Sequence, residues 1–360
     1  MPRVLMLFNR PRAERLAAAQ AGLCPDELLY GLGALRQRGW DVVASDAGFD
    51  RFLGLRLLRA LDDRLGRGGR RTGFNLAQAW RLRGLMNEAD VVFATADSSG
   101  MPALCLQDLG VVRRPIVVAS IGLAETFGAP RGLVHRAYRR WLRRASRIIV
   151  YAAPEAAALT QLFALDRGQV RFAPFGVDAE FFAGDAPPSG RPLAFGFDHR
   201  RDWPTLFAAA ASLAGEMDVV ANPDVLRGLS APRNVRLLPP EPVHELRRRM
   251  QAASFVVLPV RENGYTGGTI SLLQAMAAGR AVVVSRTRAI AEGYGLRDGE
   301  NCLLTPPGDV AALASAMRRL QNDAALAAQL GRAGAAHVRA GFTIARLADD
   351  LDAALREAIA

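Results

Sequence analysis

The residues best suited to chemistry are a glycine turn and the charges that could face it. Gly267 and Gly268 precede Thr269, and a helical pattern runs from there to Ala278, with Gly279 behind it. This predicts a helix capped by Thr269 and closed by Gly279 at its C′ position. Glycines let backbone N–H groups approach a ligand closely, and a helix N-terminus attracts an anion. The pattern therefore predicts an anion site built from Gly267, Gly268, Thr269 and Ile270, with fixed positive charge from Arg201 or, as second choice, Arg200. Both arginines follow a strand-like run that ends at Gly196. The same residues also fit a tight strand-to-helix turn that binds nothing.

Asp97, in ATADSSG (94–100), ends another strand-like run, where a carboxylate could orient a hydroxyl or cap the following helix. His135, His199, His244 and His337 form no HxxxH or HxH pair, so no metal site is expected. Of these only His199 shares a loop with Arg200 and Arg201. Gly31-Leu32-Gly33 lacks the third glycine of a dinucleotide fingerprint and falls inside a helical pattern.

Alternating strand-length apolar runs and amphipathic stretches must position these groups, a pattern of βα units around parallel sheets. The first half predicts strands at 4–8, 41–44, 90–94, 116–120, 147–151 and 170–173, with a helix opened by Pro25-Asp26-Glu27 and closed by Gly39. The second half predicts strands at 193–196, 218–221, 235–237, 255–258, 281–284 and 302–304. Between them FAGDAPPSGRP (182–192) has linker composition. Ligands bind at the carboxyl ends of parallel strands, and two α/β halves facing across a cleft would bring two such edges together.

The chain has 360 residues, half of them hydrophobic, and a net charge of +11. All 46 basic residues are arginine, which excludes lysine chemistry such as a Schiff base or a Walker-type phosphate lysine. Residues 1–183 hold 26 Arg against 17 acidic residues, so an acidic partner should meet the first half. Two segments carry that charge. Arg136, Arg139, Arg140, Arg143, Arg144 and Arg147 fall on one helical arc opposite Val134, Tyr138, Trp141, Leu142 and Ala145, and residues 51–71 mix seven arginines with apolar residues. They fit either a solvated helix face or an anionic membrane surface. Nucleic acid is not the expected partner, since no RNP-like motif, zinc finger or recognition helix is present. Cys24, Cys105 and Cys302 lie far apart without CxxC, and no apolar run approaches a signal peptide or a spanning helix. A cytoplasmic protein is expected, with the inner membrane face as a peripheral location.

The stretch LPVRENGYTGGTISLLQAMAAGRAVVVSRTRAIAEGYGLRDGENCLLTPPGD (258–309) resembles the donor-binding signature of retaining family-4 (group 1) glycosyltransferases of the GT-B fold. PFGVDAEFF (174–182), FGFDHRRDWPTLFAA (195–209) and VAALASAMRRLQNDAALAAQLG (310–331) agree in order and spacing. The first half matches in layout only, through PDELLYGLGALRQRGWDVV (25–43). The resemblance implies an N-terminal acceptor domain at 1–183, a C-terminal nucleotide-sugar domain at 190–342, and a helix at 343–360 that packs back on the first domain.

By the same resemblance, the reaction would be transfer of a hexosyl-type group from a UDP- or GDP-linked sugar to a hydroxyl of a glycan, lipid or small molecule. Configuration would be retained and no metal or other cofactor required. The Gly267 and Gly268 amides, the helix dipole and Arg201 would stabilise the leaving diphosphate. The family's two glutamates eight positions apart are here Thr266 and Gln274, and Phe197 stands where arginine is common. Gln274 can keep an altered ribose contact, and either Glu262 swings in beside Thr266 or hydroxyl and backbone groups serve instead. Glu292 occupies another position where the family often has a glutamate. The missing pair also leaves open a non-catalytic or regulatory GT-B protein.

Overall fold

The computed structural model describes residues 1–45, 74–128, 132–184, 188 and 190–360. The basic segment 51–71 lies outside the described residues. The chain forms two compact units: Met1–Gln20, Leu28–Pro174 and Ala345–Ala360 make unit 1, and Ala21–Glu27 with Phe175–Ile344 make unit 2.

Unit 1 holds the parallel strands β1 (Arg3–Leu7), β2 (Asp41–Ala44), β3 (Val91–Ala94), β4 (Ile116–Ser120), β5 (Arg147–Val150) and β6 (Val170–Phe172), in the order β2-β1-β3-β4-β5-β6. Their apolar runs are nearly continuous because both faces of a parallel sheet are covered by helices. One face packs Leu5, Val92, Val118 and Ile148 against Leu82, Leu104, Tyr138 and Phe163. The last helix, Ile344–Ile359, belongs to unit 1 from 345 onward. It is fixed there by Trp40 Nε1 donating to Asp352 at 2.6 Å and by Arg147 and Arg171 pairing with Glu357.

Unit 2 holds β7 (Leu193–Gly196), β8 (Met217–Ala221), β9 (Val235–Leu238), β10 (Val256–Leu258), β11 (Val282–Ser285) and β12 (Leu303–Thr305), ordered β12-β11-β10-β7-β8-β9. Counted from its own first strand, β7, this is the doubly wound order 3-2-1-4-5-6 read from the other edge. The order reverses between β7 and β10, which run parallel with Val256 opposite Leu193. A crevice at that switch point is where such sheets bind ligands.

Three local expectations change. The segment 25–39 is not one helix: a 3₁₀ turn covers Glu27–Leu29, Tyr30 and Gly31 have positive φ, and the α-helix is only Leu32–Gln37. Successive left-handed residues interrupt the helical ladder, so Gly31 is its N-cap rather than an interior residue. The compact units divide after Pro174, ahead of the 182–192 linker, because PFGVDAEFF packs in unit 2. There Phe175 N–H donates to Tyr294 Oη, Val177 bridges Thr343, and Gln251 Nε2 donates to the Phe182 carbonyl. The basic arc breaks too: its helix is Gly132–Leu142, and Arg147 already belongs to β5.

Candidate functional site

The glycine turn lies at the switch point of unit 2. β7 ends at Gly196 and β10 at Leu258, and the two following loops are stitched together. Arg201 bridges Val260, Asp202 N–H donates to the Pro259 carbonyl, and Arg261 N–H donates to the Arg200 carbonyl. Val260 N–H donates to Ser285 Oγ at 2.9 Å, which ties the same loop to the end of β11.

The turn then enters the helix Thr269–Ala277. Its N-cap is Gly268, at φ +87°, so Thr269 is the first helical residue and not the cap. A left-handed cap favours glycine, and a Cβ there would stand 2.6 Å from Arg201 Nη1 and 2.7 Å from Val260. Gly279, at φ +72°, follows the helix as expected. Gly267 N–H is spent on the Tyr265 carbonyl at 2.7 Å, and Thr269 N–H on the Thr266 carbonyl at 3.2 Å. The amides of Gly268, Ile270 and Ser271 make no hydrogen bond among the described residues. They are the open donors of this helix N-terminus.

Arg201 lies beneath the turn, only 3% exposed. Its side chain fills the space over Gly196, where a Cβ would collide with Nε, and reaches the helix through a 2.8 Å bond from Nη2 to Ser271 Oγ. Asp198, half exposed, is its counter-charge at 3.7 Å, and Nε and Nη1 have no partner among the described residues. Burial pulls its pKa below the usual guanidinium value, although an arginine stays charged. A buried cation this weakly neutralised is costly unless an anion completes it. Arg200 sits nearer the surface, with its guanidinium 5.3 Å from the Tyr265 ring and Nε donating to Tyr265 Oη. His199 and Phe197 are exposed in the same loop.

The remaining sequence-selected groups divide. Thr266 stands in the turn and offers its carbonyl to Thr269. Glu262 is exposed and accepts the Arg288 N–H at 3.0 Å, which holds it at the start of the helix Arg288–Ala291. Glu292 is exposed and faces Arg288 at 3.7 Å. Gln274 Nε2 donates to Glu27 Oε1 at 2.6 Å, and Glu27 Oε2 accepts the Asp178 N–H at 3.2 Å. Sequence reading missed Glu27. The signal for it was an acidic residue in Pro-Asp-Glu just before the glycines that break the helical pattern.

Asp97 stands in unit 1 and does not cap its helix. The N-cap of Asp97–Asp108 is Ala96, and Asp97 Oδ2 instead accepts the Ile121 N–H at 2.9 Å. From the other side Glu155 Oε1 accepts Ser120 Oγ–H and the Gly122 and Leu123 N–H groups, at 3.1, 2.7 and 3.1 Å. Two buried carboxyl groups thus grip one loop after β4, each with an oxygen that has no partner among the described residues. Burial raises Asp97 to about 6, while burial and the charge of Asp97 raise Glu155 to about 8. Glu155 was also missed, although a lone acid in the apolar run YAAPEAAAL marks it.

The basic helix Gly132–Leu142 buries Tyr138, Trp141 and Leu142 and exposes Leu133, Arg136 and Arg139. Arg140 and Arg144 are occupied by Asp108. Phe74 packs at a tilt beside Tyr138 and Trp141 and leads into the helix Leu76–Glu88, which exposes Trp80, Arg81, Arg83 and Leu85. Among the described residues no helix is long and apolar enough to cross a membrane.

Two parallel α/β units, with a glycine turn at the switch point of the second, are the layout of the GT-B fold. Residues 203–323 match the family model of glycosyl transferases group 1. Alr3699/HepE of Anabaena, solved with UDP, superposes with a TM-score of 0.67 at 14% identity, covering 99% of this chain and 100% of that one. Sucrose-phosphate synthase of Thermosynechococcus elongatus gives 0.72 at 19% identity, covering 99% and 98%. The E. coli trehalose-6-phosphate enzyme bound with UDP-2-fluoro glucose gives 0.69 at 13% identity, covering 98% and 99%. No curated protein matches by sequence. The chain has the GT-B fold, and residues 203–323 of its second unit are similar to group 1 glycosyl transferases.

Proposed function

We propose that the protein transfers a hexosyl group from a nucleotide-diphosphate sugar to an acceptor hydroxyl with retention of configuration. The observation that carries this reading is Arg201, buried under the Gly267-Gly268 turn with two nitrogens unpartnered and the amides of Gly268, Ile270 and Ser271 open beside it. In the reaction the bond from the anomeric carbon to the diphosphate breaks and its electron pair leaves with the phosphate oxygen. The acceptor oxygen forms the new bond on the same face, and its proton passes to that phosphate oxygen. Negative charge grows on the leaving diphosphate, where these donors, the helix dipole and Arg200 stabilise it. The chain supplies this positive field itself, so no metal enters the proposed reaction. Uridine is the first base to test, because the structures of HepE and of the trehalose-6-phosphate enzyme contain UDP or a UDP-sugar. GDP-linked sugars are the second.

In unit 1 the grip of Asp97 and Glu155 on the loop after β4 supports a role in ordering the acceptor side. The exposed arginines of the helices Leu76–Glu88 and Gly132–Leu142, with Trp80 on the first and Leu133 on the second, support an acceptor met at an anionic bilayer, on the cytoplasmic side. Each exposed arginine near such a surface contributes about 1 kcal/mol. The alternative, a GT-B protein without transfer activity, is favoured by one observation: Thr266 and Gln274 are uncharged and the Glu262 carboxylate accepts the Arg288 N–H, which leaves no free carboxylate in the turn. Incubation with radiolabelled UDP-glucose and UDP-galactose, with a lipid extract as acceptor, separates the two. Labelled product is expected; UDP binding without product from any donor and acceptor pair supports the alternative.

A further inference from the structure

Gln274 lies on the face of the Thr269–Ala277 helix that meets Arg201. Ser271 bonds Arg201, and Gln274 is three residues on, one turn further along the same face. From Gly268 to Gln274 the helix rises about 9 Å at 1.5 Å per residue, which is the reach from a diphosphate to the ribose of the same nucleotide. The side chain is partly exposed. Gln274 Nε2 donates to Glu27 Oε1 at 2.6 Å, the orientation that an ionised carboxylate selects because it only accepts hydrogen bonds, and this leaves Gln274 Oε1 as the acceptor not used by Glu27. Glu27 is held in turn by the Asp178 N–H and is 2% exposed, although it comes from the short stretch Ala21–Glu27, remote in sequence from the rest of unit 2.

We infer that Glu27 is a positioning residue for nucleotide recognition: it locks the Gln274 amide so that Oε1 accepts a hydrogen bond from a ribose hydroxyl of the donor. The inference rests on the donor-site reading above. It restores, with a side chain from another part of the sequence, the acceptor character that a glutamine at position 274 would otherwise offer in only one of its two orientations.

Protonation adds a second signature. The titratable groups facing Glu27 are Asp26 beside it and Asp178 at the start of the helix Ala179–Phe182, and burial together with both acids raises Glu27 to about 7. Once protonated, Glu27 donates a hydrogen bond and competes for the Gln274 carbonyl.

The test is calorimetric binding of UDP, 2′-deoxy-UDP and 3′-deoxy-UDP, with the GDP series in parallel, to the whole protein and to Glu27→Gln, at pH 6 and pH 8. The native protein should prefer the ribonucleotide over one of its deoxy analogues by about tenfold at pH 8 and by less at pH 6, the scale of one hydrogen bond. Glu27→Gln is near-isosteric and leaves both amide orientations open, so the preference should fall towards one and lose its pH dependence. Its melting temperature verifies folding, and Gln274→Leu should abolish the preference by a second route. Preference intact in both variants overturns the inference alone. A native protein that binds no nucleotide overturns the donor-site reading and this inference with it.

Discussion

The carboxyl edges of the two parallel sheets are built alike and charged oppositely. In unit 2 the loops after β7 and β10 enclose one cation, Arg201, whose nearest acid is half exposed and 3.7 Å away. In unit 1 the loops after β3, β4 and β5 enclose two acids, Asp97 and Glu155, with no cation among the groups that shift them. The same βα geometry thus provides a site ready for an anion in one unit and a site that retains a proton in the other. Backbone architecture fixes where a site forms, and a few buried charges fix what it takes.

The largest effect should come from removing the cation. Arg201→Met keeps much of the volume but not the charge. Nucleotide-dependent activity should fall by about 10² to 10³, the usual consequence of losing one donor aimed at a developing anion. Because a poorly neutralised buried charge is costly, the melting temperature without nucleotide should hold or rise. Arg200→Ala, nearer the surface on Tyr265, should lose less activity. A larger loss with Arg200→Ala would reverse the roles assigned to the two arginines.

The acidic edge should show itself through pH. Glu155 has a folded pKa of about 8 against an ordinary value near 4.5, so the folded state binds the extra proton between those values. Its contribution to stability is complete below about 4.5 and is lost as pH rises through about 8. Asp97, at about 6, acts in the same direction over a lower window. Thermal unfolding followed from pH 5 to 8.5 should show stability falling, and Glu155→Gln should flatten that slope. An unchanged slope in the variant would remove the carboxyl pair as its source.

The smallest effect concerns the outer face of unit 1. Exchanging Arg136 and Arg139 for glutamine should weaken sedimentation with vesicles containing phosphatidylglycerol and leave nucleotide binding alone. Equal sedimentation with purely zwitterionic vesicles would argue against an anionic partner.

Much of the frame was legible in the sequence because it is local. All twelve strands were found to within about a residue, since buried parallel strands are continuous apolar runs with glycine or polar boundaries. The glycine turn was legible as two glycines ahead of a helical run, and Arg201 as a charge just beyond a strand end. Glu27 and Glu155 were not, because their meaning lies in partners far along the chain: Gln274 is 247 residues from Glu27, and the Ser120 loop is 35 from Glu155. Glu262 is a different case. Nearness in sequence to Thr266 suggested a shared site, whereas its carboxylate bonds the Arg288 amide. Thr269 looked like a cap by residue type, but Gly268 holds the left-handed position that precedes the helix.

The proposed transfer depends first on the second unit binding a nucleoside diphosphate against Arg201 and the Gly268 turn. The most direct measurement is thermal unfolding with UDP, GDP, ADP and dTDP, on the native protein and Arg201→Met. One diphosphate at a hundred times its Kd should stabilise the native protein by about 2.7 kcal/mol, seen as a clear rise in melting temperature, and the variant far less. No rise with any of the four, or an equal rise in both proteins, would mean that Arg201 and the turn hold no diphosphate.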